Sequence, residues 1–225
     1  MLISGGADTG VLALVIAALG TRAISSDFTY IDICKTPVEQ NTLMATKLGL
    51  NAVILHGDVL DLDIEQVDAV VAHNFVSFFP PELRQRLFRK WFEALKPGGV
   101  ALIANNASRY SGAKRPNRKG RDISKALSSL HAGALSWGMT SNEAAELIEL
   151  TTLREYDQTR FPHLAIDEFK SEFIAAGFEV ELVASDEDGK SLVPNAFLRE
   201  ESDLERESKR SVKSVFQLRR PFSVN

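Results

Sequence analysis

The first stretch of this chain that could do chemistry is the glycine-containing segment near its start. LISGGADTG carries Gly5, Gly6 and Gly10 and is followed by the apolar run GVLALVIAAL. Glycines in a turn between a strand and a helix let a ligand approach the backbone closely. The segment fits neither GxGxxG nor GxxxxGK[ST], since no lysine follows the last glycine. It therefore predicts close backbone contact with a ligand and argues against a lysine-held phosphate.

Carboxylates end the next two apolar runs. Asp32 lies 22 residues after Gly10, and Asp58 follows the run NAVILHG. A carboxylate at the first position can accept two hydrogen bonds from a ribose diol. Asp58 can accept one from an adenine amino group, Val59 offers the ring an apolar edge, and Ile33 belongs to the same predicted site. Either aspartate could instead cap a turn, but their joint placement favours an adenosine site.

The fourth apolar run ends in His73 and Asn74. His73 is a candidate base and a candidate ligand contact, or a structural histidine with satisfied hydrogen bonds. Asn74 could orient a substrate or cap the turn before SFFPPE. Phe75, Phe78 and Phe79 line a substrate pocket or belong to the core. The sequence leaves these alternatives open.

Composition and charge limit the functions that the chain can have. With 225 residues, 44% hydrophobic, the chain predicts a single domain, residues 1–225, and its net charge of −4 argues against a nucleic-acid partner. Its one cysteine, Cys34, excludes internal disulfides, and no Cys/His cluster has metal-ligand spacing. We expect Cys34 to be a small buried side chain beside the ribose site. No apolar run reaches the roughly 20 residues that span a bilayer, so we expect a cytoplasmic protein without a membrane partner.

Strand and helix patterns alternate along the first half of the chain. The predicted strands are MLIS, FTYIDI, NAVILHGDV, VDAVVAHNF and VALIAN, and the helices between them include TPVEQNTLMATKLGL and PPELRQRLFRKWFEALKPGG. Short apolar strands alternating with helices predict a doubly wound, Rossmann-like α/β sheet with helices on both faces. A helical and basic insertion is predicted at about 107–166, and a charged, flexible loop at about 185–211.

These segments resemble the class I S-adenosylmethionine-dependent methyltransferases over nearly the whole chain. LISGGADTG is similar to that family's motif I, and VDAVVAHNFVSFFP followed by LFRKWFEALKPGGVALI is the most specific part of the resemblance. FIAAGFEVELV and SVFQLRRP are similar to its closing strands, which implies seven strands with an antiparallel last one. The resemblance implies methyl transfer from S-adenosylmethionine to an acceptor, for which we expect a small molecule, and leaves the oligomeric state open.

The chain departs from the family at two places. Ser4 stands where the family usually has an acid, and Asp8 stands where it has a glycine. We count both in the cofactor site: Asp8 could reach the cofactor's ammonium group or repel its carboxylate. The family normally has helices before the first strand, whereas Met1 stands almost at it, so we expect the chain to begin inside a longer gene product.

Two other functions compete with this prediction. LISGGADTG, ANNAS and YSGAK also resemble motifs of the NAD(P)-dependent short-chain dehydrogenases. Tyr110 follows Asn106 by only four residues and Gly112 separates Tyr110 from Lys114, whereas the catalytic pair of that family lies on a long helix much further on. A flexible loop does not hold a lysine beside a tyrosine to depress its pKa. The third hypothesis is a nucleotide-binding relic of the methyltransferase fold, which Ser4 and Asp8 motivate.

Overall fold

The computed structural model describes residues 1–108, 124–157, 161, 163–185 and 211–222. The chain divides into two compact units. One contains residues 1–113 and 163–225, and the other contains residues 114–162. Most of the basic run and of the charged loop predicted at about 185–211 lies outside the described residues.

The first unit is built on one seven-stranded sheet. Its strands are β1 (Leu2–Ser4), β2 (Asp27–Asp32), β3 (Asn51–His56), β4 (Val67–His73), β5 (Leu95–Ser108), β6 (Glu179–Ser185) and β7 (Ser211–Arg219). Their order across the sheet is β3-β2-β1-β4-β5-β7-β6. The first five strands are parallel, and β7 runs antiparallel to both β5 and β6. The predicted mostly parallel sheet with an antiparallel last strand is confirmed.

Helices follow the strands as the alternating pattern predicts. They are α1 (Gly10–Leu19), α2 (Lys35–Leu48), α3 (Pro81–Ala94), α4 (Ser124–Ser136), α5 (Ser141–Asp157) and α6 (Ile166–Ala175). Helices α4 and α5 lie within the second unit and pack against each other. No helix in the part of the chain that the structure describes is long and apolar enough to cross a membrane.

The sheet is covered by two hydrophobic cores, because successive residues of a strand point to opposite faces. Leu2 belongs to one core and Ile3 to the other. The core that contains Leu2 is rich in aromatic side chains from α3, α6 and β7: Phe88, Trp91, Phe169, Phe173 and Phe216. The other core joins β1 and β2 to α1 through Val11, Leu12, Phe28 and Tyr30. Two covered faces confirm the prediction of helices on both sides.

Strand β5 begins five residues earlier than the sequence predicts, at Leu95 and not at Val100. The KPGG segment joins the strand because the chain end beyond β7 pairs with it. Gly98 N–H donates to the Arg220 carbonyl at 2.9 Å, and Arg220 N–H donates to the Gly99 carbonyl at 2.9 Å. The Arg220 guanidinium also donates to the carbonyls of Phe92 and Leu95. Pairing with Arg220, which is distant in the sequence, thus makes the KPGG segment part of β5.

Candidate functional site

The carboxyl ends of β1, β2 and β4 meet at one edge of the sheet. Strand β1 lies between the other two, with Ser4 in register with Ile31. Gly5 N–H extends this pairing by donating to the Ile31 carbonyl at 2.9 Å. Since successive connections leave β1 and β4 in opposite directions across the sheet, a crevice opens between them at their carboxyl ends. This is where an open α/β sheet binds its ligand.

The glycines at the start of the β1–α1 loop are required by the side chains behind it. Gly5 has φ +67°, and a Cβ there would overlap the ring of Phe75. A Cβ on Gly6 would lie 2.8 Å from the hydroxyl oxygen of Tyr30. Both positions therefore exclude any larger residue, whether or not a ligand is bound. The loop is packed tightly on the side that faces the core and is exposed on the other side.

Asp8 caps the beginning of α1 with its side chain. Its Oδ1 accepts a hydrogen bond from Gly10 N–H at 2.7 Å. Its backbone is held as well, because its carbonyl accepts a bond from Asn41 Nδ2 at 3.1 Å. A carboxylate suits the positive end of the helix dipole. It also takes an N–H group that a phosphate would otherwise use and puts a negative charge where that phosphate would lie.

Ser4 supports the glycine loop from below. It is completely buried, and its Oγ accepts a hydrogen bond from Trp91 Nε1 at 3.1 Å. The bond ties the carboxyl end of β1 to α3. The structure therefore places the Ser4 side chain behind the loop, on the core side, and not at the surface that a ligand would contact.

We expect Ser4→Ala to destabilise the protein by about 1–3 kcal/mol, because it leaves the buried Trp91 N–H without an acceptor. The measurement is the free energy of unfolding in urea. The control is the double variant Ser4→Ala with Trp91→Phe, compared with Trp91→Phe alone. Removing the hydroxyl should cost much less once the indole N–H is gone. Equal costs in both backgrounds would show that the hydrogen bond does not stabilise the fold.

Asp32 joins the β1–α1 loop to the turn that follows β2. It is 8% exposed, its Oδ2 accepts a bond from Gly6 N–H at 3.1 Å, and its Oδ1 accepts one from Cys34 N–H at 2.8 Å. Each carboxylate oxygen can accept a second hydrogen bond. Burial raises the pKa of the neighbouring Tyr30, and the negative charge of Asp32 raises it further. The Asp32 carboxylate is thus oriented by the backbone and still able to accept bonds from a ligand.

Both residues that follow Asp32 have exposed side chains, and one of them contradicts a prediction. Cys34 is exposed, so the prediction that it is buried was wrong. It lies in the turn before α2, where the strand alternation no longer decides which residues face inward. Ile33 is 64% exposed, and its carbonyl accepts a bond from His56 Nε2 at 3.0 Å. The sequence predicts two apolar residues for the adenosine site, Ile33 and Val59. Of these two, Ile33 has the exposed side chain.

The turn after β3 is organised by Asp58. Its Oδ1 accepts a bond from Leu60 N–H at 2.9 Å, which leaves Oδ2 without a partner among the described residues. Val59 is 3% exposed and packs into the core that contains Leu2. Asp58 therefore keeps acceptor capacity, whereas Val59 can reach a ligand at this turn only through its backbone.

His73 and Asn74 stand together at the carboxyl end of β4. Asn74 is a non-glycine residue with φ +50°, and its Oδ1 accepts a bond from Asn106 N–H at 3.0 Å. Its Nδ2 lies 3.2 Å from His73 Nε2. His73 keeps an exposed edge, yet desolvation of its ring lowers its pKa, as does the positive charge of Lys213, while Asp8 opposes the shift. The imidazole is therefore predominantly neutral at pH 7.

The three phenylalanines after Asn74 divide between the core and the surface. Phe79 is buried, and its ring meets the ring of Phe75 edge-on at a centroid distance of 5.0 Å. Phe75 also packs behind Gly5, while Phe78 is 38% exposed. Of these three rings, the ring of Phe78 is therefore the one that offers an exposed apolar surface.

The sequence interpretation missed a buried polar residue, Asn41. It is fully buried, and its Nδ2 donates to the carbonyls of Asp8 and Pro37. It thereby fixes the glycine loop to α2. Pro37, Asn41 and Ala45 form the buried face of α2, and their spacing of four residues could have indicated that Asn41 points inward. Within the described residues, no cluster of His, Cys, Asp and Glu could hold a metal ion.

Comparison with known families finds a partial match to a methyltransferase domain. Residues 5–99, from the glycine loop to the KPGG turn, match the family model described as a methyltransferase domain. Among curated proteins, carboxy-S-adenosyl-L-methionine synthase of Shewanella baltica is 32% identical over 65 residues, which are 29% of this chain and 27% of that protein. The match thus spans about a quarter of the length of this relative.

Solved structures share the fold over nearly the whole chain. The [4+2]-cyclase SpnF matches with a TM-score of 0.59 at 15% identity, covering 99% of this chain and 74% of that one. The 1,6-didemethyltoxoflavin-N1-methyltransferase of Burkholderia thailandensis, solved with 1,6-didemethyltoxoflavin and S-adenosylhomocysteine, matches with a TM-score of 0.56 at 16% identity, covering 98% and 70%. At such identities the similarity establishes the fold alone.

Proposed function

We propose that the chain is a member of the class I S-adenosylmethionine-dependent methyltransferase family, whose methyltransferase domain its residues 5–99 match, and that it transfers a methyl group from S-adenosylmethionine to a small-molecule acceptor. The resemblance covers the glycine loop, the aspartates after β2 and β3, and the segment from β4 to the KPGG turn. The crevice at the carboxyl ends of β1 and β4 is the site proposed for the reaction.

The observation that carries the proposal is the position of Asp8. Its carboxylate occupies the N–H of Gly10 at the start of α1 and brings a negative charge to the glycine loop. A dinucleotide places its pyrophosphate at the corresponding helix N-terminus, where Asp8 would repel it. A sulfonium nucleoside has no phosphate, and its methionine end carries an ammonium group that Asp8 attracts as well as a carboxylate that Asp8 repels. Asp8 therefore favours S-adenosylmethionine over NAD(P).

The acceptor groups of the crevice fit the cofactor. Asp32 is a buried, oriented carboxylate with lone pairs left for a ribose diol, and one carboxylate oxygen of Asp58, which has no partner in the described part of the chain, can accept from an amino group. Ile33, which lies between the two aspartates in the sequence, provides an exposed apolar side chain. We propose that Asp32 binds the ribose, that Asp58 binds the adenine amino group, and that Gly5, Gly6, Asp8 and Gly10 form the loop beside the methionine end.

The chain's own part in methyl transfer is then mainly to position the acceptor. Bound S-adenosylmethionine supplies an electrophilic methyl group on a sulfonium that is already a good leaving group. Alignment of an acceptor atom at about 3–3.5 Å can supply much of the acceleration. We propose that the acceptor lies beside His73 and Asn74, since these end the strand that borders the crevice.

The proposal is tested by incubating the chain with methyl-labelled S-adenosylmethionine and a panel of small hydroxylated, aminated and thiol compounds. The expected result is S-adenosylhomocysteine formed in equal amount with one labelled product. A parallel incubation with carboxy-S-adenosylmethionine in place of S-adenosylmethionine tests the compound that appears in the name of the Shewanella relative. Oxidation of NADH or NADPH by the same panel would instead support the dehydrogenase hypothesis, whose Tyr110 and Lys114 lie outside the described residues.

A further inference from the structure

The side-chain amide of Asn74 has only one orientation that satisfies its neighbours. One end of the amide faces the backbone N–H of Asn106 at 3.0 Å, and this donor requires an oxygen opposite it. Exchanging the amide oxygen and nitrogen would place two donors against each other. The other end of the amide, which faces His73 Nε2 at 3.2 Å, is therefore the nitrogen. The backbone N–H of Asn106 thus determines that Asn74 turns its amide nitrogen, and not its oxygen, toward His73.

An amide nitrogen can only donate, so His73 Nε2 must accept. In a neutral imidazole one ring nitrogen carries the proton and the other accepts. Acceptance at Nε2 places the proton on Nδ1. Protonating Nε2 as well would turn the contact with Asn74 Nδ2 into one between two donors.

We propose that Asn74 is a positioning residue that holds His73 in its Nδ1–H tautomer, so that the imidazole offers the crevice a hydrogen-bond donor and not a base. The lone pair of Nε2 is already engaged by Asn74, and the nitrogen left for a ligand carries a proton. Free histidine side chains favour the opposite tautomer, so the contact with Asn74 must reverse this intrinsic preference.

The surroundings of His73 favour a neutral ring, which either tautomer requires. Desolvation disfavours the imidazolium, as does Lys213 on β7, while Asp8 on the β1–α1 loop favours it, and the net effect is a lowered pKa. The left-handed backbone of Asn74 supports the arrangement, since asparagine is among the residues that adopt such φ values most readily. The N–H of Asn74 donates to the Ala104 carbonyl at 2.8 Å, which fixes its backbone to β5.

A histidine that donates through Nδ1 selects for substrates with an accepting oxygen, such as a carbonyl or a carboxylate. This step rests on the proposed function, because it supposes that the acceptor lies beside β4. The tautomer itself does not depend on methyl transfer. It can be measured in the protein without cofactor or substrate.

The test is a long-range proton–nitrogen correlation NMR spectrum of the uniformly ¹⁵N-labelled chain at pH 7.5. The chain has four histidines, so His73→Gln identifies the His73 signals by their loss. Nitrogens with and without a proton resonate far apart. We expect the ratio of Nδ1–H to Nε2–H tautomer in His73 to be at least about fivefold higher than in a free histidine side chain, the factor that about 1 kcal/mol of hydrogen bonding gives.

Asn74→Asp is the decisive variant, because its carboxylate can still accept from Asn106 N–H but offers His73 an acceptor. The proton should move to Nε2, and the pKa of His73 should rise above that of the parent chain. Asn106→Asp adds the same charge on the neighbouring strand without the contact, and should leave the tautomer unchanged. Asn74→Gly, which tolerates the backbone angle, should release the tautomer even if the aspartate variant folds poorly.

Two results would overturn the proposal. One is a parent chain in which His73 carries its proton on Nε2. The other is an Nδ1–H tautomer that persists in Asn74→Gly, which would show that another group holds the ring. A chain that transfers no methyl group but shows the expected tautomers would leave this inference standing and remove the proposed function alone.

Discussion

Asp32→Ala is expected to lower the affinity for S-adenosylmethionine by about 100-fold or more. Hydrogen bonds to a charged acceptor contribute about 1.5–3 kcal/mol each, and a ribose diol would lose two of them, which corresponds to at least two orders of magnitude in Kd. The substitution also removes the acceptor of Gly6 N–H and Cys34 N–H. The β1–α1 loop and the turn after β2 would then lose their shared anchor. Calorimetric titration of both chains measures the effect.

The matched control for this prediction is Asp27→Ala. Asp27 is an exposed carboxylate at the opposite end of the same strand, where it accepts a bond from Asn51. The Asp27→Ala substitution should leave the Kd for S-adenosylmethionine within about twofold of the parent value, because Asp27 lies at the end of β2 that is far from the crevice. If Asp32→Ala is folded by circular dichroism and still binds with the parent affinity, the ribose role of Asp32 is wrong.

Gly5→Ala is expected to destabilise the fold by about 2–5 kcal/mol. A left-handed backbone costs a non-glycine residue about 1–2 kcal/mol, and Gly5 has φ +67°. The added Cβ would also overlap the Phe75 ring, and overpacking of this kind costs about 1–3 kcal/mol. The measurement is the free energy of unfolding from urea titrations that follow tryptophan fluorescence. Trp91 lies in the same core, its ring centroid 6.5 Å from that of Phe75.

Gly49→Ala separates the two contributions to this cost. Gly49 has φ +64° and lies in the left-handed region, but a Cβ there would meet no atom within 4 Å. It should therefore show only the backbone cost of about 1–2 kcal/mol. The double variant Gly5→Ala with Phe75→Ala should lose less than the sum of its two single variants, because the overlap is gone. Equal losses at Gly5 and Gly49 would mean that Phe75 does not restrict the loop.

The sheet and its order of elements follow from short-range patterns in the sequence. Apolar strands, helix-length amphipathic runs and glycine or proline at their ends are local features, and they predicted all seven strands. The start of β5 was missed because Arg220, more than a hundred residues away, draws the KPGG turn into the sheet. No local pattern reveals a partner at that distance.

Side-chain direction at the site was predictable only where a strand continues. Leu2 and Ser4 share a face of β1, and Leu2 belongs to the core beside α3, so the alternation could have indicated that Ser4 faces Trp91. Cys34 lies beyond the end of β2, where no periodicity holds, and its exposure could not be read from the sequence. The contacts of Asn74 depend on β4 and β5 lying side by side, which only the structure provides.

The measurement that tests the central claim most directly is calorimetric titration of the chain with S-adenosylmethionine, S-adenosylhomocysteine, NADH and NADPH under the same conditions. The claim is that the crevice between β1 and β4, with Asp8 beside α1, accepts a sulfonium nucleoside and refuses a pyrophosphate. It predicts micromolar binding, one ligand per chain, for the first two compounds and no heat of binding for the dinucleotides. Binding of NADH or NADPH with neither of the first two would contradict it.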